Sequence, residues 1–157
     1  MASESGPIHV VVGVDGSRQA MDATAYGALL AQTFGARLSL LHAAVPVPSR
    51  SSFDRAPKVA LRAETAAALD GEHFLREAQA MVDPDVTCVT EVHFGDPATV
   101  ICRRAEELGA DLVIVGNRGL GMLDRLLLGS VSSGVTQRAP CSVLVVRDGP
   151  RREEGSS

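Results

Sequence analysis

The sequence has few of the features that mark a disulfide-stabilised, metal-binding or membrane-spanning protein. It contains three cysteines, an odd number, with no Cys-x-x-Cys pair and no metal-ligand spacing to its four histidines. Reduced thiols in a cytoplasmic protein are therefore predicted. No apolar run approaches the roughly 20 residues that a transmembrane helix needs, and residues 1–7 are polar, unlike a secretory signal. We therefore predict no membrane partner.

The chain also lacks an excess of basic residues, with 15 lysines and arginines against 19 aspartates and glutamates. Lys58 is the only lysine, and the formal net charge is −4 at neutral pH. Nonspecific binding to nucleic acid requires a basic surface that neutralises phosphates, so a nucleic-acid partner is not expected. Any contact with a nucleotide must come from a local site.

Aromatic residues are rare, at 3% of the chain, and tryptophan is absent, although 45% of the residues are hydrophobic. The core must therefore be built from alanine, valine and leucine, which favours helices packed on a β-branched sheet. A chain of 157 residues is long enough for one domain and too short for two. We place this domain at residues 8–147 and predict disordered tails at 1–7 and 148–157, which are polar or charged.

Apolar runs typical of strands alternate with segments of helical periodicity. The predicted strands are 8–14, 38–44, 86–93, 112–115 and 142–147, and helices are predicted over 18–34, from about 58 to 82, from 97 to 108 and from 131 to 138. Gly35 and Gly109 follow two of these helices as stop residues, and Asp96-Pro97 opens one as a cap. Residues 45–58 form a predicted loop, and the stripe of the first helix that includes Phe34 is predicted to be buried. This alternation indicates a doubly wound parallel sheet with helices on both faces, and it leaves several strand orders open.

A glycine-rich segment, residues 116–130, joins the fourth strand to the last helix. It is longer than the usual strand-to-helix connection of about 2–6 residues, which favours a functional role. Its glycines allow close approach of the backbone to a ligand, and Ser130 is predicted to be the N-cap of a helix whose N-terminus favours an anion. A phosphate-binding loop is one interpretation, and an exposed surface loop is the other. The spacing fits neither a P-loop, which needs a lysine before Ser130, nor the dinucleotide fingerprint, which needs a third glycine.

The spacing Gly116-x-x-Gly119, nine residues, then Gly129-Ser130 resembles the ATP-binding motif of the universal stress protein family. The resemblance extends over residues 11–17, 111–116 and 139–146. It implies the strand order 3-2-1-4-5, which brings Asp15 and Gly116 together at the point where ligands bind in such sheets. Ser142 departs from the pattern, because many members have proline after the cysteine.

The resemblance also implies roles for individual residues. Asp15 contacts the nucleotide in this interpretation, although a turn former is the alternative from the residues alone. Adenine lies against the chain at Ala43, and Val115 lies against the base. Arg118 could bind phosphate as a bidentate donor, with a solvated surface role as the alternative. The remaining positions implied to contact ribose and phosphate are Gly116, Gly119, Gly129, Ser130 and Val131.

These features predict an ATP-binding regulator of the stress response, with Mg²⁺ bridging the phosphates. We expect no enzymatic role, because residues 116–130 contain no lysine, histidine or glutamate to support phosphoryl transfer. The alternatives are a slow ATP hydrolase or nucleotidyl transferase on the same scaffold, or a protein that acts through protein contacts alone. A homodimer is also predicted, because an apolar edge strand without charge favours pairing with another chain and the family resemblance points the same way. The residues of that edge are Val143, Leu144, Val145 and Val146.

Overall fold

The computed structural model describes residues 6–45, 57–117 and 128–147. Strands and helices alternate as β1 (His9–Gly13), α1 (Arg18–Phe34), β2 (Arg37–Ala44), α2 (Pro57–Gln79), β3 (Cys88–Phe94), α3 (Pro97–Leu108), β4 (Leu112–Gly116), α4 (Ser130–Arg138) and β5 (Ser142–Val146). The predicted alternation is confirmed, with ends that differ by a few residues. The predicted loop at 45–58 was too long, because α2 already begins at Pro57. Residues 1–5 and 148–157 of the predicted tails lie outside the described residues.

The five strands form one sheet in the order β3-β2-β1-β4-β5, and every neighbouring pair is parallel. This is the order that the family resemblance implied. β1 pairs with β2 on one side, with Val12 opposite Leu40, and with β4 on the other, with Val12 opposite Ile114. The chain leaves β1 toward one edge of the sheet and β4 toward the opposite edge. A crevice is expected between their carboxyl ends for this reason.

Alternate residues of the strands point to opposite faces and build two apolar layers. Val10 and Val12 belong to the layer shared with α1 and α2, whereas Val11 belongs to the layer under α3 and α4. Small residues allow α1 to lie close to the sheet, since a Cβ at Gly27 would come within 2.7 Å of Val12 Cγ2. Among the described residues, the fully buried part of the core contains no phenylalanine, tyrosine or tryptophan side chain, and Tyr26 and Phe74 pack against it only partly buried.

Local capping signals place most of the helix ends. Ser17 caps α1, with its Oγ accepting a hydrogen bond from the Ala20 amide at 3.1 Å, and Gly35 ends the helix in the left-handed conformation at φ 64°. Asp96 and Gly109 cap α3 in the same two ways. The prediction that Phe34 is buried was wrong, because this last residue of α1 is 64% exposed. The chain reverses direction immediately after it at Gly35, and the apolar stripe of α1 ends on the sheet at Ala31.

Candidate binding site at the carboxyl end of the sheet

A cleft opens where β1 and β4 end, at the position that the strand order predicts. The cavity within it has a volume of about 90 Å³, and the cleft is open to solvent at its mouth. Five of the predicted site residues line it: Asp15, Ala43, Val115, Gly116 and Val131. They come from three strand ends and the first turn of α4. The other lining residues are Gly13, Val14, Ser17, Ala20, Leu41, Pro97 and Ile101.

Asp15 lies in a tight turn between β1 and α1. Its Oδ1 accepts a hydrogen bond from the Ser17 amide at 2.9 Å, and Gly16 adopts φ 81°, a conformation that favours glycine. The carboxylate therefore has a structural role as a turn former, and Asp15 also lines the cleft. Oδ1 fixes the turn, and Oδ2 makes no hydrogen bond to the described residues. The two interpretations of Asp15 are compatible.

The deeper walls of the cleft are apolar. Leu41 and Val115 come from the strands beneath it, and Ile101 comes from α3; all three are at most 3% exposed. Asp15 is the only titratable residue among those that line the cleft in the described part of the chain. The arrangement suits a flat apolar group that carries polar substituents at one end.

Gly116 has a structural role that the sequence did not indicate. A Cβ at this position would lie 2.7 Å from the Cβ of Gln19 and 2.8 Å from its carbonyl carbon. The first turn of α1 therefore packs directly against the end of β4, and only glycine leaves room for it. The same contact fixes the distance between the two sides of the cleft.

Helix α4 begins one residue earlier than predicted. Gly129, not Ser130, is the N-cap, because its carbonyl accepts the first intrahelical bond from the Ser133 amide at 2.9 Å. The prediction that Ser130 caps the helix was wrong, and Ser130 is instead an exposed residue of the first turn. Because Gly129 has no side chain, the N-cap residue itself makes no side-chain hydrogen bond to this N-terminus. Its backbone amides and the positive end of the helix dipole therefore remain suited to an anion.

Two residues that sequence reasoning did not select hold this helix end in place. The Asn117 carbonyl accepts a hydrogen bond from the Gly129 amide at 2.7 Å and a second from Ser132 Oγ at 3.0 Å. Ser132 Oγ also lies 3.0 Å from the Gly129 carbonyl and is buried. Ser132 lies two residues beyond the glycine motif, and this spacing is the only feature of the sequence that could have indicated its role at the helix end. Arg118 and Gly119, the other predicted site residues, lie outside the described residues.

Several ionisable groups with shifted pKa values lie outside the cleft lining. The side-chain hydrogen bond from Arg104 is the main reason that the pKa of Glu91 lies below its usual range. Burial raises the pKa of the thiols of Cys88, Cys102 and Cys141, so these groups stay protonated. Among the residues that the structure describes, no group of three or more potential metal ligands is present. Among the described residues, the cleft presents one carboxylate, backbone groups and an apolar wall.

Fold and cleft together define a doubly wound α/β protein with a cleft at its topological switch point. The chain belongs to the universal stress protein family, whose model matches residues 8–147. A universal stress protein of Thermus aquaticus is 38% identical over 149 residues, which cover 88% of this chain and 97% of that protein. UspA of Lactobacillus plantarum has a similar structure, with TM-score 0.78, 26% identity and coverage of 92% of this chain and 100% of its own. A universal stress protein in complex with cAMP gives TM-score 0.60 at 29% identity, with coverage of 91% and 98%.

Within residues 6–45, 57–117 and 128–147, none of the helices combines the length and the hydropathy that crossing a bilayer requires.

Proposed function

We propose that this protein binds ATP in the cleft and acts as a nucleotide-dependent regulator of the stress response. The observation that carries the proposal is the placement of Asp15 and a helix N-terminus with glycine as its N-cap on either side of one apolar cleft. A nucleotide needs three kinds of surface: a carboxylate for the ribose hydroxyls, a helix N-terminus for the phosphates and an apolar wall for the base.

Each part of the nucleotide has a matching part of the cleft. The base fits against Val115, with the backbone of Ala43 at the end of β2 to read its edge. Asp15 accepts hydrogen bonds from the ribose hydroxyls. The phosphates face the start of α4, where the amides that follow Gly129 favour negative charge. The structure in complex with cAMP belongs to a protein 29% identical to this chain and supports an adenine nucleotide as the ligand class.

Mg²⁺ would be held by the phosphates and by water, with Asp15 or the Ser130 hydroxyl as the nearest protein groups. Both oxygen donors suit this hard cation, which usually keeps several waters and takes only one or two protein ligands. The exposed position of Ser130 at the start of α4 is compatible with that arrangement. The proposal includes the ion as part of the bound nucleotide.

Binding, more than turnover, is the proposed role. Rapid phosphoryl transfer requires a positioned base or water together with cationic groups on the transferred phosphate. Asp15, the titratable residue lining the cleft, is already held by the Ser17 amide. A slow ATP hydrolase is the alternative. A steady-state assay of phosphate release decides between them, with Gly129→Val as the control. Release near about one per second, the low end of the kinase range, that disappears in the variant would favour the enzyme.

We also propose that two copies of the chain pair through β5. This strand is an edge of the sheet, and its residues 143–146 are all apolar. The Val146 carbonyl accepts from the Asn117 amide, so it points toward β4. Because backbone groups alternate along a strand, those of Val143 and Val145 point outward, where a second β5 can bind them. A cytoplasmic location is proposed as well, because all three cysteines are unpaired.

Calorimetric titration with ATP tests the central proposal. Asp15→Ala removes hydrogen bonds to a charged group, which are worth about 1.5–3 kcal/mol each, so the affinity should fall about 10- to 100-fold. Asp22→Ala is the matched control, since this carboxylate lies on α1 and does not line the cleft. Equal affinities of the Asp15→Ala variant and the wild type would remove Asp15 from the site. Absence of ATP binding by the wild type would reject the proposed function.

A further inference from the structure

A buried histidine holds the residue that precedes Asp15. His42 lies on β2, is 9% exposed, and has its Nδ1 at 2.8 Å from the Val14 carbonyl oxygen. Because a carbonyl only accepts hydrogen bonds, Nδ1 must carry the hydrogen. The amide of Val14 is bound in turn to the Leu41 carbonyl at 2.8 Å. Both polar groups of Val14 are therefore fixed to β2 immediately before the chain turns at Asp15.

Helix α2 contains an internal glycine where the imidazole lies. Glycine is among the least favourable residues inside a helix, so its presence there needs a reason. A Cβ at Gly71 would collide with the His42 ring, with Cγ and Nε2 both at 3.1 Å and Cδ2 closer still. The ring therefore lies directly on the backbone of α2. Glycine at position 71 lowers the intrinsic stability of the helix, but it allows the ring of His42 to pack closely against the helix backbone.

Phe74, one turn further along α2, completes the contact with the turn. Its ring meets the His42 ring edge-on, with centroids 5.6 Å apart and an interplanar angle of 63°. The same ring lies against Gly16, where a Cβ would be 2.6 to 2.8 Å from three of its carbons. One aromatic side chain thus touches both the histidine and the turn that carries Asp15.

We propose that His42, packed between Gly71 and Phe74, is a positioning residue that orients Asp15 toward the bound nucleotide. The inference deepens the proposed function and rests on it. His42 does not line the cleft, so it acts only through the backbone of Val14. If the Nδ1–H group of His42 is removed, the buried Val14 carbonyl loses its hydrogen-bond donor. The peptide that leads into Asp15 is then less firmly held. The carboxylate then no longer faces the ribose in a fixed direction.

A double-mutant cycle with ATP as the probe tests this inference. His42→Leu should weaken ATP binding about 3- to 10-fold, the effect of one lost hydrogen bond. His42→Asn, whose amide can donate near the position of Nδ1, should remain within about twofold of the wild type. In the Asp15→Ala background, His42→Leu should cause no further loss, because residues that act as a unit are not additive. Arg76→Leu, at an exposed position on α2, is the control.

Gly71→Ala tests the same contact without altering the histidine. Helix propensity alone predicts a more stable protein, whereas the collision with the ring predicts a lower melting temperature and weaker ATP binding. Gly27→Ala, which meets Val12 in the core, should lower stability without a comparable loss of affinity.

The possible failures are distinguishable. If the wild type binds ATP and Asp15→Ala weakens it, but His42→Leu and Gly71→Ala do not, the positioning role is overturned and the site stands. Equal losses from His42→Leu with and without Asp15 also overturn it. If the wild type does not bind ATP, both the proposed function and the positioning role fail.

Discussion

Gly116 offers a direct test of whether the first glycine of the motif serves packing or ligand approach. In Gly116→Ala, the new methyl group would lie 2.7 Å from Gln19 Cβ and 2.8 Å from the Gln19 carbonyl carbon. The carbonyl carbon belongs to the backbone of α1 and cannot move without displacing the helix. Overpacking of this kind costs about 1–3 kcal/mol. For a chain of this size, each 1 kcal/mol lowers the melting temperature by roughly 2–4 °C, so a decrease of about 2–12 °C is expected.

Gly13→Ala is the matched comparison, because Gly13 ends β1 and lines the same cleft. Its new methyl group would meet Ile101 Cδ1 at 2.9 Å, the far end of a side chain that can rotate away. Thermal unfolding followed by circular dichroism should therefore show a clearly smaller decrease for Gly13→Ala than for Gly116→Ala. An unchanged melting temperature in Gly116→Ala, combined with loss of ATP binding, would refute the packing argument and assign this glycine to the ligand alone.

Three further predictions concern pH and assembly. The side-chain hydrogen bond from Arg104 is the main cause of the depressed pKa of Glu91. The stabilisation that Glu91 contributes is therefore present above its unfolded pKa of about 4.3, and it is lost as pH falls through the lower folded pKa. Urea unfolding of Glu91→Gln and the wild type should therefore converge in acid. Burial, followed by the charge of Arg37, lowers the pKa of His9 below about 6.5. The free energy of unfolding should therefore rise with pH between the folded and the unfolded pKa of His9, and His9→Gln should reduce this dependence on pH. Val145→Pro, which removes an outward amide of β5, should give a monomer by light scattering at micromolar concentration, whereas Val145→Thr should remain a dimer.

Each of these predictions has a contrary outcome. A constant difference in unfolding free energy between Glu91→Gln and the wild type down to acid pH would show that the Glu91 carboxylate gains nothing from its partner. An unaltered pH slope in His9→Gln would assign the slope to other groups. A monomeric wild type would contradict pairing through β5.

Sequence signals predicted the parts of the fold that depend on local chemistry. Gly35 and Gly109 end their helices in the left-handed conformation, and Asp96 caps α3, as their positions in the sequence indicated. Local signals could not predict the strand order, because connectivity alone allows several orders. The order followed from the resemblance to the universal stress protein family. Asp15 could be placed near Gly116 only once that order was assumed.

The errors arise where distant residues decide a local structure. The N-cap moves from Ser130 to Gly129 because the Asn117 carbonyl binds the Gly129 amide. Helical periodicity counted Phe34 as inward, although the sheet no longer lies beneath the end of α1. The role of Gly71 depends on His42, which is far away in the chain and close only in the folded protein. No local pattern contains this information.

The location of the ligand is the central claim, and mapping of amide chemical shifts during titration with ATP tests it most directly. We predict that the largest changes occur at the strand ends and at the first turn of α4, at residues 13–17, 43, 115–116 and 130–131. Changes at the opposite end of the sheet, around the polar groove that includes Arg37, Asp83 and Asp85, would contradict the account, as would no change at any concentration of ATP.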